Sequence, residues 1–338
     1  MRRYEGSGFG ESPRIAILSN DALGNYLAVT PLLQAVRRAF PASELVYFSG
    51  PRTEELAAHD ASITRFERFL GVAPFSWARP DRGFDWVINV EHSAWASAVA
   101  AMLSSPDGCV TGPCLDAEGR GAMPFESNAR GDLWRDTGWI TEDLTERYPF
   151  LASGFISEIF CRLAYLEGEL PAYRTASAEY PQERLGELPD TLIAMSASLP
   201  EKLWPLEKWR EALREWNRAG HTVGLLGAKP AAQGRYWQGQ AAEDAVVAEG
   251  LARDLRGQLT LPEVAGALGA ARHVLSLDNG IMHLAVAQGT PVTALFRRGI
   301  HRLWTPPFGS VRVLLPEADE PVASIPAVRV IEAMANGD

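Results

Sequence analysis

Short apolar runs alternate along this chain with stretches in which apolar residues recur at helical spacing, and the alternation begins twice. The first run, Ile15-Ala16-Ile17-Leu18, leads through a polar turn, Ser19 to Asn25, into a predicted helix at 26–39. There Leu27, Leu32, Leu33 and Val36 share a face, and Arg37-Arg38 suit the C-terminal end of the helix dipole. Strands are predicted at 44–48 and 86–90, with helices at 52–59 and 95–103. From 104 to 149 the periodicity fades among Gly, Pro, Asp and Arg, which predicts long loops. A helix is predicted at 155–166, and the segment 169–190, with Pro171, Pro181 and Pro189, reads as a linker whose boundary lies near Tyr180.

The second half restarts the pattern with strands at 192–195 and 222–226 and helices at 206–219, around 235–248 and at 261–270. It continues with His273 to Phe296, an apolar run, a break at Asp278-Asn279-Gly280, a helical stretch and a second apolar run, and it closes with a helix at 325–334. Strand, crossover helix and strand in this order predict parallel sheets of the doubly wound α/β kind, with strand carboxyl ends opening on a cleft. The expected organisation is a flexible tail at 1–13, an N-terminal domain at 14–180 and a C-terminal domain at 181–338.

Composition narrows the function. A chain of 338 residues, 46% hydrophobic and 22% charged, can bury two cores. A net charge of −10 argues against general nucleic-acid binding, which needs a basic face, and leaves membrane contact as at most peripheral. Cys109, Cys114 and Cys161 form no CxxC pair and have no His partner at zinc spacing, so they read as reduced thiols of a cytoplasmic protein. The polar first residues contain no apolar core of a signal peptide, and no apolar segment is long enough to span a bilayer.

Two segments carry candidate chemistry. At the Asp278-Asn279-Gly280 turn the side chains can cap the following helix, and glycine leaves the approach to its first N–H groups open. Free N–H groups and the helix dipole favour an anion, and His283, a turn further on, can stand beside it. Capping alone also explains such a turn. The second segment, Ser196-Ala197-Ser198-Leu199-Pro200-Glu201-Lys202-Leu203-Trp204-Pro205, follows the first strand of the second half. It offers small hydroxyl donors and a mobile cation suited to phosphate.

Three segments together resemble the heptosyltransferases, inverting GT-B enzymes of glycosyltransferase family 9 that use ADP-heptose on lipopolysaccharide cores. Ala22-Leu23-Gly24-Asn25 with Thr30-Pro31-Leu32-Leu33 looks like the family's opening ALGD…TPAL turn and helix. Lys202 with Trp204-Pro205 is similar to its K-x-W-P loop, and Asp278 to His283 to its D-T-G-L-x-H turn. The order and spacing hold from Arg14 to about Leu315. The resemblance implies two Rossmann-like domains facing each other across a cleft, the first for the acceptor and the second for the nucleotide-sugar. It implies that Lys202 contacts the diphosphate, that Asn279 and Gly280 offer it N–H groups, that Ser196 and Ser198 lie near the nucleotide, and that Asp278 and His283 hold phosphate or donor sugar. Positive groups then stabilise the leaving diphosphate, so no metal and no cofactor beyond the nucleotide-sugar is required.

One departure is prominent. Where the family carries an aspartate base, this chain has Asn25, whose neutral amide cannot take a proton. The base is then drawn from Asp21, in the same turn, or from Glu91 and His92, which follow the third strand. Two other readings stay open: a sugar-nucleotide-binding protein that has lost catalysis, and a nucleotide-sugar epimerase. The expected acceptor is a glycan, glycolipid or small molecule. Trp134, Trp139, Arg130 and Arg135, and beyond the last strong strand Arg297, Arg298, His301 and Trp304, offer faces for sugars and grips for anions.

Overall fold

Residues Ile15 to Leu18 are buried on both faces, as are Leu192 to Ala194 and Val274 to Leu277. Continuous apolar runs of this kind are what parallel strands between two helical layers require. The structure, a computed structural model, describes residues 1–70, 82–229, 237–318 and 320–335. It contains two compact units, Met1–Arg174 and Thr175–Asp338.

The first unit holds β1 (Arg2–Arg3), β2 (Arg14–Leu18), β3 (Glu44–Ser49), β4 (Arg65–Arg68), β5 (Phe84–Asn89) and β6 (Ser104–Thr111), in the sheet order β1-β6-β5-β2-β3-β4. The second holds β7 (Thr191–Ala194), β8 (Val223–Leu225), β9 (Arg253–Asp254), β10 (His273–Leu277), β11 (Val292–Leu295) and β12 (Val311–Leu314), in the order β12-β11-β10-β7-β8-β9. Every named pairing in both sheets is parallel. In each unit the chain moves from the central strand to one side, then returns to the other side of that strand. The reversal falls between β2 and β5 in one unit and between β7 and β10 in the other, and the carboxyl ends at such a point are where open α/β sheets bind ligands.

The Leu23–Ala39 helix carries Pro31 in its interior. Proline cannot donate to the carbonyl four residues back, which is that of Leu27. Thr30 Oγ1 donates to that oxygen at 2.8 Å instead, so the Thr-Pro pair satisfies locally what Pro31 alone would leave open.

Three expectations differ from the fold. Residues 1–13 are not a loose tail throughout. Arg2 and Arg3 pair with Cys109 and Val110 of β6, and the Tyr4 ring packs 4.2 Å from that of Trp86. Buried aromatic packing and an open sheet edge order a segment whose polar, glycine-rich sequence shows no period. The 104–149 region is more regular than loops: it begins with β6, whose Ser-Ser-Pro-Asp-Gly start hides the strand, and includes the Ala129–Arg135 helix, capped by Asn128. In the second unit the helix expected around 235–248 runs Gln240–Ala248. Residues 230–236, where its expected start falls, lie outside the described residues.

The unit cores lie against these sheets. In the second, Trp204, Trp209 and Trp216 are buried with Ile193, Leu275 and Leu295. Trp204 Nε1 donates to Ile325 O at 2.9 Å and Trp216 Nε1 to Thr191 Oγ1 at 2.8 Å, so these indoles enter the core with their polar atom satisfied.

Candidate active site

At the reversal of the second sheet, Ser276 pairs with Ala194 in register, which brings the ends of β10 and β7 side by side. Asn279 ties them together. Its backbone is extended, its Oδ1 accepts from Ile281 N at 2.9 Å and Met282 N at 3.3 Å, and its Nδ2 donates to Ser196 O at 2.9 Å. Ser276 Oγ donates to the same Oδ1 at 3.0 Å. The cap takes the N–H groups of Ile281 and Met282, which leaves those of Asn279 and Gly280 at the mouth of the Gly280–Ala287 helix.

The segment after β7 folds over this point. Pro200–Lys202 form one 3-10 turn, and Trp204, buried in the core, anchors its exit. The anchor places Lys202 Nζ 2.7 Å from Asp278 Oδ2. Both side chains are largely buried, with 15% and 6% exposure, so a cation and a carboxylate form a fixed pair at a helix N-terminus. An ammonium has three donors, and this pair engages one carboxylate oxygen. Glu201, next to Lys202, accepts from Arg297 at 3.3 Å.

His283 lies one turn inside the same helix and is buried, its ring edge-on to Trp304 at 5.7 Å. Burial pushes the imidazole down from 6.5 to about 4, with the Lys202 charge adding to the fall and the Asp278 carboxylate opposing it. At neutral pH it is therefore an uncharged imidazole and not the cation that its position beside an anion suggests. Ser196 joins the group through its carbonyl. Ser198 is exposed, and no hydrogen bond ties it to this group among the described residues.

The strand end also holds residues that periodicity concealed. Ala197 and Gln238 pair through two backbone hydrogen bonds, Ala197 N to Gln238 O at 3.2 Å and Gln238 N to Ala197 O at 2.7 Å. Gly239 follows with φ +105, where a Cβ would stand 3.3 Å from Met195 O. Only glycine suits both demands. Its presence was the one signal in a stretch read as helix.

The reversal of the first sheet has its own tie. Asn20, after β2, donates from Nδ2 to Glu91 Oε2 at 2.8 Å and accepts from Ala22 N at 3.0 Å. Glu91 N donates to Asn89 Oδ1 at 2.9 Å, and Ser93 N donates to Glu91 Oε1 at 3.1 Å. Ser93 also caps the Ala94–Leu103 helix by accepting from Ala96 N. Asn20 was not singled out in the sequence, because its role appears only when two strands distant in the chain become neighbours.

The other candidates are placed differently. Asp21 Oδ1 takes two donors of Arg52, at 2.7 and 3.0 Å, and the Asp21 carboxyl packs against Gly50. Both Arg52 and Gly50 follow β3, so Asp21 leans away from β5. His92 is exposed, 5.8 Å from the Trp134 ring and 6.4 Å from that of Trp139. Asn25 is half-buried in the first turn of the Leu23–Ala39 helix.

Of the residues expected to grip an acceptor, several have local partners. Arg130 pairs with Glu167 at 2.6 Å and covers the Tyr165 ring at 4.2 Å. Arg135 pairs with Asp132 at 2.6 Å, and Trp134 is buried and stacked on Phe125. Arg298 donates to the carbonyls of Ala318 and Pro316. Trp139, half-buried with its Nε1 bonded to Leu133 O, keeps part of its face beside His92.

Two doubly wound parallel sheets, each with polar residues gathered at its reversal, define a GT-B glycosyltransferase fold, and solved structures share it. A family 9 glycosyl transferase from Veillonella parvula superposes with TM-score 0.71 at 17% identity, over 96% of this chain and 97% of that one. The Escherichia coli ADP-heptose lps heptosyltransferase II gives 0.67 at 16% identity, over 96% and 98%. The E. coli heptosyltransferase WaaC with ADP gives 0.60 at 19%, over 96% and 100%. Residues 160–321, just under half of the chain, match the model of glycosyltransferase family 9 (heptosyltransferase). No curated protein sequence matches it. No helix among the described residues is long and apolar enough to cross a membrane.

Proposed function

We propose that this chain transfers heptose, with inversion, from ADP-heptose to a hydroxyl of a glycan, glycolipid or small-molecule acceptor. The observation that carries this reading is the Lys202–Asp278 pair, at 2.7 Å, set over a helix N-terminus capped by Asn279. A leaving diphosphate gains charge as its bond to the sugar breaks, and a preset cation with two backbone N–H groups stabilises that charge. Lys202 and the N–H groups of Asn279 and Gly280 take the diphosphate. Asp278 orients Lys202, the neutral His283 supports the donor side by hydrogen bonding, and Ser196 and Ser198 lie towards the nucleotide. The E. coli WaaC structures hold ADP and ADP-2-deoxy-2-fluoro heptose, and heptosyltransferase II carries ADP-heptose in its name, which supports this donor. The first unit, with Asp21, Glu91 and His92 as candidate bases, receives the acceptor. The protein is expected to work in the cytoplasm, with at most peripheral contact at the inner face of a membrane.

Asn25 favours a second reading, a sugar-nucleotide binder without turnover, because an amide cannot serve as the base. Thermal shift with ADP-, GDP-, UDP- and dTDP-sugars tests binding, and transfer with ADP-heptose separates the two readings. A ligand at 100 times its Kd adds about 2.7 kcal/mol to the folded state. The largest shift is expected with ADP-heptose, and no shift with any of the four would overturn both readings.

A further inference from the structure

We propose that Glu91 is the general base of this transfer and that Asn20 is its positioning residue; the assignment rests on the transfer reading above. The sheet order puts the ends of β2 and β5 together at the reversal, and the Asn20–Glu91 hydrogen bond, at 2.8 Å, joins them there. Each Glu91 oxygen holds one donor, Asn20 Nδ2 on Oε2 and Ser93 N on Oε1. A carboxylate has about four acceptor sites, so both oxygens keep a lone pair. No Lys, Arg or His forms an ion pair with Glu91 among the described residues, and the side chain is half-buried, reachable by a hydroxyl. The group is thus fixed by neutral donors and free to take a proton.

The rival carboxylate is engaged. Asp21 receives both Arg52 donors on one oxygen and lies against Gly50, on the β3 side of its strand. His92 is exposed and lies beside the indoles of Trp134 and Trp139, and no hydrogen bond to it is found among the described residues. The charge lost at Asn25 is therefore replaced from the neighbouring strand end.

In the reaction the acceptor O–H gives its proton to a Glu91 oxygen as the acceptor oxygen bonds to the anomeric carbon. The bond from that carbon to the diphosphate oxygen breaks, and its electron pair leaves with the nucleoside diphosphate. Glu91 then releases the proton to water.

The test measures ADP release from ADP-heptose with water and with lipopolysaccharide core oligosaccharide as acceptors, alongside ADP affinity by calorimetry. Glu91→Gln is expected to lower kcat by about 10²- to 10⁴-fold with unchanged ADP affinity. Glu91→Asp, which keeps the charge but withdraws it, falls between that variant and wild type. Asn20→Ala lowers kcat by roughly 10-fold or more when the rate is expressed per ADP-binding site counted by calorimetry, a normalised loss that a smaller fraction of folded protein does not produce. Glu118→Gln, a highly exposed carboxylate, matches wild type. If wild type transfers and Glu91→Gln and Glu91→Asp match it, or if Asp21→Asn loses more than Glu91→Gln, the assignment is overturned and the transfer reading stands. If wild type binds ADP but releases none from ADP-heptose with either acceptor, the transfer reading falls and the base with it.

Discussion

The two sheet reversals have the same topology and opposite chemistry. At each, an asparagine bridges two strand ends: Asn279 reaches Ser196 O in the second unit, and Asn20 reaches Glu91 in the first. At each, a capped helix starts beside the bridge. In the second unit the bridge stands beside a cation, Lys202, whose carboxylate partner is 6% exposed. In the first it holds a carboxylate by neutral donors alone. One framework thus presents a cation–carboxylate pair in one unit and a carboxylate held by neutral donors in the other. The difference comes from a few side chains in the strand-end loops, since five strands of each sheet follow one order, β6-β5-β2-β3-β4 and β11-β10-β7-β8-β9, and the sheets differ only in the edge strand beyond them. Folds place sites, and the grafted residues decide what the sites do.

Substitutions that erase the contrast test it, beginning with Glu91→Gln, whose effect on turnover is given above. Lys202→Ala is expected to lower kcat/KM for the donor by about 10²- to 10³-fold, the cost of removing one preset charge stabiliser, with Lys202→Arg recovering part of it. Steady-state kinetics with ADP-heptose checks this, and an unchanged kcat/KM would remove the donor role from the second unit.

The buried His283 predicts a pH effect on stability. Above pH 6.5 the imidazole is neutral in the folded and unfolded chain alike. Between 6.5 and about 4 the unfolded chain binds a proton that the folded site refuses. Stability present above pH 6.5 is therefore lost as the pH falls through that window, by roughly 3 kcal/mol in total. Denaturant titrations from pH 7 to 4 should show this loss, and His283→Asn should flatten it relative to wild type.

The bridges themselves give smaller effects. Asn279 takes part in four hydrogen bonds, and Asn279→Ala is expected to cost roughly 2 kcal/mol of stability. Asn20 takes part in two through its side chain, so Asn20→Ala should cost about 1 kcal/mol. Equal losses, measured by urea denaturation, would show that the two ties bear the same load. Ser93→Ala removes the one side-chain cap of the Ala94–Leu103 helix and should cost about 1 kcal/mol or less.

Much of this architecture was legible in the residues. Apolar runs located the strands that flank the two reversals, β2, β5, β7 and β10, because burial on both faces leaves an unbroken hydrophobic signal. The Asp278-Asn279-Gly280 turn declared a helix start through capping chemistry that needs no distant partner. β1 was hidden because its order comes from the edge of β6 and the Trp86 ring. β6 was hidden because its opening residues, half-exposed or exposed between Ser105 and Asp107, carry no period. Arg130 and Arg135 looked available in the sequence, yet Glu167 and Asp132 take them up.

The sequence by itself determined the alternation of strands and helices, the capped turn at Asn279 and the absence of a carboxylate at Asn25, since each depends on residues adjacent in the chain. Only the tertiary structure decided that Lys202 pairs with Asp278, that burial keeps His283 neutral, that Arg52 holds Asp21 aside and that Asn20 fixes Glu91. Those outcomes depend on which strand ends become neighbours and how much water remains around them, and neither is written in local spacing.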